Sequence, residues 1–172
     1  MQRGFSLIEV LLALVVMSAG MLGLAFQQLE AAQMGTARQL QSRAVALSNE
    51  LIESIKANPA GWSGYYKAPG TAFPVEIAAC TAATSCTVSE LAARELFDWR
   101  LKVRRMMPQV TDAQLNSGFY ICHDPDPTDV NVCNGDNASS ERQQTVIQMT
   151  WDSFADGSGA VTTQQFRVVF WP

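Results

Sequence analysis

The sequence predicts an α+β chain: a long N-terminal α-helix packed on an antiparallel sheet of three to four strands, with a second helix and loops between. Three observations carry this. An apolar segment from Phe5 to Phe26 continues without a proline as far as Asn58-Pro59. A helix-spaced stretch follows Thr87. Three β-rich segments occupy the C-terminal third.

The chain has 172 residues, which suits one domain with an appendage. A hydrophobic content of 48% excludes a disordered chain. A net charge of −4 argues against a nucleic-acid partner held by bulk positive charge. With 1 His, a His-rich metal site and most His-based catalysis are disfavoured.

Phe5 to Phe26 reads FSLIEVLLALVVMSAGMLGLAF, 22 residues with one charge, Glu9. As a helix it spans about 33 Å, close to the ~30 Å hydrocarbon core of a membrane. A conventional secretory signal has a shorter apolar region and a small-residue cleavage site, and fits poorly. Arg3 precedes the segment, so the positive-inside rule puts that end in the cytoplasm and residues after Gln27 outside it. An unpaired carboxylate in a membrane helix costs a few kcal/mol. Glu9 therefore calls for a cation at the same depth, the alternative being a carboxylate that snorkels to the interface.

Beyond Gln27 the helix turns polar but keeps a stripe: Leu29, Leu40, Ala44, Leu47, Leu51 and Ile55. Pro59 ends it, so one helix runs from about 6 to 57. Residues 58–87 read as loop, punctuated by Pro59, Gly61, Gly64, Pro69, Gly70 and Pro74. Trp62, Tyr65 and Tyr66 within it suit packing over the core or a partner surface. Thr87-Val88-Ser89-Glu90 reads as a capping box opening a second helix over 88–107, ended by Pro108. Strands are expected at Gly118–His123, Thr145–Trp151 and Gln165–Trp171, with a hairpin loop over Asp152–Val161.

The four cysteines allow three pairings. Outside the cytoplasm disulfides are expected, and the sequential pairs Cys80–Cys86 and Cys122–Cys133 are the favoured ones. Their spacing does not suit zinc. His123 adjoins Cys122, but neighbours on a strand point to opposite faces and cannot form a base–nucleophile pair. The acidic run from Asp124 through Asp126, Asp129 and Asp136 suits turn chemistry better than calcium. Arg100, Lys102, Arg104 and Arg105 spread around a helix and read as a solvated, ion-paired face rather than a phosphate site.

Arg3-Gly4-Phe5-Ser6-Leu7-Ile8-Glu9-Val10-Leu11 resembles the class III signal of type IV pilins and pseudopilins. The resemblance implies a pilin-like fold. It also implies a prepilin peptidase that cuts between Gly4 and Phe5 and methylates the Phe5 amine. Glu9 then pairs with the Phe5 amine of a neighbouring subunit, neutralising two costly buried charges. The expected organisation is a leader peptide, 1–4; a transmembrane or filament-core helix, 5–26; and an extracytoplasmic globular domain, 27–172. Many major pilins carry a proline in this helix; here none precedes Pro59, and Gly20 and Gly23 are the flexible points.

Glu50-Leu51-Ile52-Glu53, Asn58-Pro59, Asp98-Trp99, Ile121-Cys122-His123-Asp124-Pro125 and Thr150-Trp151-Asp152 resemble the PilV-type minor pilin, or type IV pilus modification protein. That resemblance implies a non-enzymatic subunit, without cofactor or metal, of a priming or tip complex that initiates pilus assembly. Its partners would be other minor pilins, the major pilin and the inner membrane, with later display on the cell surface. The alternatives are a minor pseudopilin of a type II secretion system and a membrane-anchored periplasmic enzyme or binding protein.

Overall fold

The computed structural model describes residues 6–76, 85–126, 133–135, 137, 143–153 and 161–172. Helix α1, Leu7–Ala57, has 51 residues and is therefore about 76 Å long. Its buried positions are Leu40, Ala44, Leu47, Ser48, Leu51, Ile52 and Ile55. This is the predicted stripe, except that Leu29 is 59% exposed. Packing begins some ten residues later than the sequence suggested because the domain reaches no further down the helix. Asn58 ends α1, and its N–H bonds to Ser54 and Ile55 carbonyls.

The expected loop is partly helical. A 3-10 turn, Pro59–Gly61, leads into the short helix α2, Trp62–Tyr65. Four residues are too few to show a periodicity. Gly64 permits a close approach, since a Cβ there would lie 2.2 Å from the Ser89 carbonyl oxygen and 2.8 Å from Ala92 Cβ. Trp62 and Tyr65 enter the core, whereas Tyr66 stays 37% exposed.

Helix α3, Val88–Met106, opens with the predicted capping box, Thr87 and Glu90 each satisfying the other's backbone N–H. Ala92, Leu96, Trp99 and Val103 form its buried face. A further helix was not expected: α4, Asp112–Gly118. It too opens with a capping box, Thr111 with Gln114. Because Gly118 closes α4, the first strand starts later than predicted. A Cβ on Gly118 would lie 1.6 Å from Thr150 Oγ1, which is why glycine stands there.

The strands are β1, Tyr120–His123; β2, Thr145–Ser153; and β3, Thr162–Phe170. They form an antiparallel sheet in the order β1-β2-β3. Asp152 and Ser153, expected in the hairpin loop, pair with Thr163 and Thr162 and lengthen the ribbon. Residues 154–160 of that loop lie outside the described residues. The alternation in β2 marks two faces, and both are buried. Ile147, Met149 and Trp151 join the main core with α1 and α3, while Val146 packs with Tyr120 and Cys122 on the other side. The architecture is an α+β pilin-like fold.

Candidate functional site: the N-terminal helix and its anchorage

From Leu7 to Phe26 the large apolar side chains of α1 are exposed, from 47% at Val10 to 82% at Leu7. This part is long and apolar enough to cross a membrane. Its one charged side chain, Glu9, sits in the first turn. A carboxylate there faces the positive end of the helix dipole. Gly4 and Phe5, the expected cleavage pair, lie outside the described residues.

The other half of α1 is bolted to the domain by groups at several heights. Trp99 Nε1 donates to the Leu47 carbonyl at 2.9 Å. Arg43 donates to the Met106 carbonyl at the end of α3. Lys102 pairs with Glu50. The Tyr65 hydroxyl donates to the Ser54 carbonyl at 3.1 Å and also bonds Glu95. Burial, then the Glu95 carboxylate, push the Tyr65 phenol well above its ordinary range. Arg100 and Arg104 both hold Asp112, and these guanidiniums keep its carboxyl below the usual carboxylate range. The basic run is thus the ion-paired face the sequence suggested, with Arg105 left over among the described residues.

At the end of the sheet near α2, the His123 ring stacks on Trp62 with centroids 3.8 Å apart and planes 6° from parallel. Asn137 links the two: its Oδ1 accepts from the His123 N–H at 2.6 Å, and its carbonyl accepts from Trp62 Nε1 at 3.2 Å. Cys122 and Cys133 form the predicted disulfide. Cys86 is disulfide-bonded too, and Cys80 lies outside the described residues. Of the acidic run, Asp129 and Asp136 also lie outside them. Asp124 is fully buried and accepts from Arg167 Nη2 at 2.8 Å. Among the described residues no three His, Cys, Asp or Glu side chains converge as a metal site.

Two buried charged features escaped the sequence reading. One is this Asp124–Arg167 pair, 43 positions apart. The other is Lys67, 2% exposed, whose Nζ donates to the Asn116 carbonyl at 2.9 Å and to the Phe119 carbonyl. It therefore caps the C-terminal end of α4. Its ammonium lies 4.9 Å from the Phe73 ring centre, and burial pushes its pKa down to about 8. The backbone of Lys67 pairs with Ile121 through two 2.9 Å hydrogen bonds, extending the sheet past β1. A lone polar residue in a Pro- and Gly-rich stretch carries no pattern that announces such a position.

Comparison with known families bears on what this helix-and-domain arrangement is. Residues 1–25 match the family model of the prokaryotic N-terminal methylation motif. Residues 24–97, from the lower part of α1 into α3, match that of the type IV pilin Tt1218. The chain is type IV pilin-like. No curated protein and no solved structure matches it. The two matches support a pilin or pseudopilin, and the type IV pilin family is structural rather than enzymatic. The methylation motif implies processing by a prepilin peptidase and a pilus context, and with the apolar helix it suggests a membrane-anchored pilin.

Proposed function

We propose that the chain is a minor pilin of a type IV pilus that takes part in the priming or tip complex. The single observation that carries this is one continuous helix with an exposed apolar half, one carboxylate near its start and a firmly packed second half. The leader is residues 1–4. Cleavage falls between Gly4 and Phe5, and the new Phe5 amine is methylated. Residues 5–26 hold the subunit in the inner membrane with its N-terminus cytoplasmic. Residues 27–172 form the periplasmic domain, later displayed on the pilus.

The mechanism is storage and transfer. In lipid, the exposed apolar half of α1 is satisfied by hydrocarbon. On assembly it is satisfied by other helices, so little hydrophobic free energy separates the two states. The Glu9 carboxylate tips the balance when it meets the Phe5 amine of a neighbour, because an unpaired charge costs more in apolar surroundings than a paired one. The outer domain then chooses neighbours. The PilV-type motifs favour the pilus over a type II secretion pseudopilin. Deleting the gene and imaging the cell surface tests this: loss of pili supports the assembly role. Intact pili with reduced secretion overturn it in favour of the pseudopilin.

A further inference from the structure

Helix α3 runs back along α1. Its first residue lies beside the C-terminal end of α1, where the Asn58 side-chain amide donates to the Val88 carbonyl at 2.9 Å. Its last turn lies level with Arg43, which donates to the Met106 carbonyl. The end of α3 therefore points toward the exposed apolar half of α1. Charge is sorted along this direction. Glu50, Glu53, Glu90 and Glu95 belong to the far part of the two helices. Arg38, Arg43, Arg104 and Arg105 lie at or below the end of α3, and Arg100 reaches Asp112 beside Arg104. Among the described residues the carboxylates at this end are Asp112, Asp152 and, lower on α1, Glu30. Five guanidiniums outnumber them, in a chain whose net charge is −4.

These arginines have unused capacity. Arg38 and Arg105 are exposed and make no ion pair or hydrogen bond among the described residues. A cleft of about 370 Å³ is lined by Arg100, Leu101, Arg104, Arg105 and Asp112, three guanidiniums against one carboxylate. The Arg100 Nε is buried there without an acceptor. One Asp leaves such a set positive, and guanidinium forks match the oxygens of a phosphate. Phosphate of one kind is within reach. Counted from Phe26, Arg38 stands about 18 Å and Arg43 about 26 Å along the helix axis. With α1 tilted toward α3 by about 40°, the upper end of the range for membrane helices, the end of α3 comes to about 14 Å above the hydrocarbon. The headgroup layer is about 5–8 Å deep, so the remaining gap is about one Debye length, ~8 Å.

We propose that the arginine-rich end of the domain leans onto the outer surface of the inner membrane and binds the headgroup phosphates of anionic phospholipids. Arg104 and Arg105 make the contact, and Arg38 and Arg43 add to the attraction. The stored subunit is thereby held tilted over the membrane, and assembly has to lift the domain away from it. The inference rests on the pilin reading, which supplies the membrane, and deepens it by naming the lipid class that the domain meets before assembly.

The test uses the full chain purified from its native membranes and placed in nanodiscs of phosphatidylcholine, with or without phosphatidylglycerol. Phenylglyoxal modifies arginines at rates that peptide mass mapping reads residue by residue. Arg104 and Arg105 should react at least about threefold more slowly in the anionic discs, and salt that shortens the Debye length to about 3 Å should abolish the difference. Arg94, toward the other end of α3, should react alike in both. Arg105→Glu breaks no contact among the described residues, so it should speed the reaction of Arg104 in anionic discs at an unchanged thermal midpoint. Reaction rates blind to lipid charge overturn the proposal. Equal protection in neutral discs by soluble inorganic phosphate, or by an oligonucleotide, overturns it too, in favour of a free anion or a nucleic acid. N-terminal sequencing of the same material separates the two levels. With a Phe5 terminus, lipid-blind rates remove only the contact; an intact Met1 terminus removes the pilin reading.

Discussion

The Trp99 indole donates to the Leu47 carbonyl at 2.9 Å, tying the middle of α3 to α1 across 52 positions. Through this bond the outer domain holds the long helix in one orientation, so that pulling on the helix moves the domain with it. Trp99 is 5% exposed and also packs against Phe73 and Phe119. Trp99→Ala should cost about 3–5 kcal/mol. Trp99→Phe, which keeps much of the packing and removes the donor, should cost about 1 kcal/mol more than the loss of ring volume alone. Urea unfolding of the full chain in detergent measures both.

The buried ion pair predicts a large penalty for halving it. Asp124→Asn removes from Arg167, whose side chain is 15% exposed, the charge of the buried Asp124 carboxylate. The expected loss is about 3 kcal/mol. Asp124→Asn with Arg167→Met should recover part of it. A single substitution with no effect on the urea midpoint contradicts this reading.

Lys67 predicts an unusual dependence on pH. Its pKa is about 8 in the folded chain, against an ordinary 10.5 when unfolded. Between those values the unfolded chain holds a proton that the folded chain has released. Stability therefore rises as pH climbs above 8. Tyr65 opposes this above pH 10.0, since the folded chain keeps a phenol proton that the unfolded chain loses there. The rise is thus cleanest between pH 8 and 10. The urea midpoint should be higher at pH 9.5 than at 7.5, and Lys67→Met should abolish the difference.

The Cys122–Cys133 disulfide closes a loop of sequence separation 11 beside the His123–Trp62 stack. Replacing both cysteines by alanine should cost about 2–4 kcal/mol. Thermal unfolding of the double variant checks this, and peptide mapping without reductant should recover Cys122 joined to Cys133.

What was legible in the sequence was what periodicity and local chemistry dictate. The long helix, α3 behind its Thr87 cap, and strands β2 and β3 each carry a pattern over nine residues or more, the short β1 was marked by its aromatic and β-branched residues, and their types stand. The Cys122–Cys133 pair followed from nearness in sequence. Helices too short to repeat a 3.6-residue period were lost: α2 has 4 residues and α4 has 7. For α4 a signal was present, since Thr111-Asp112-Ala113-Gln114 is the same capping pattern that located α3. Leu29 was placed on the packed stripe because a helix shows its apolar face in sequence but not where its partner ends. Asp124–Arg167 and Lys67 were invisible for a deeper reason: each is defined by groups more than 40 positions away, and nothing local marks them. Glu9 is the proposed assembly residue because one carboxylate in 22 otherwise uncharged positions is costly.

Glu9 itself gives a sharp expectation. Glu9→Ala should insert into the membrane as well as the native chain, since it removes a charge from an apolar segment. It should nonetheless enter sheared pilus fractions at a clearly lower level, because the attraction to a neighbour's Phe5 amine is gone. Equal incorporation contradicts the charge-pair account.

In the proposed function the exposed apolar half of α1 begins life behind a removable leader and ends it in a filament. Intact-mass and N-terminal peptide measurement on the chain purified from its native membrane tests this most directly. The expected result is a mature terminus at Phe5 carrying one methyl group on its amine, and an uncut chain when Gly4 is replaced by a bulky residue. An intact Met1, or a terminus beyond Phe26, contradicts it.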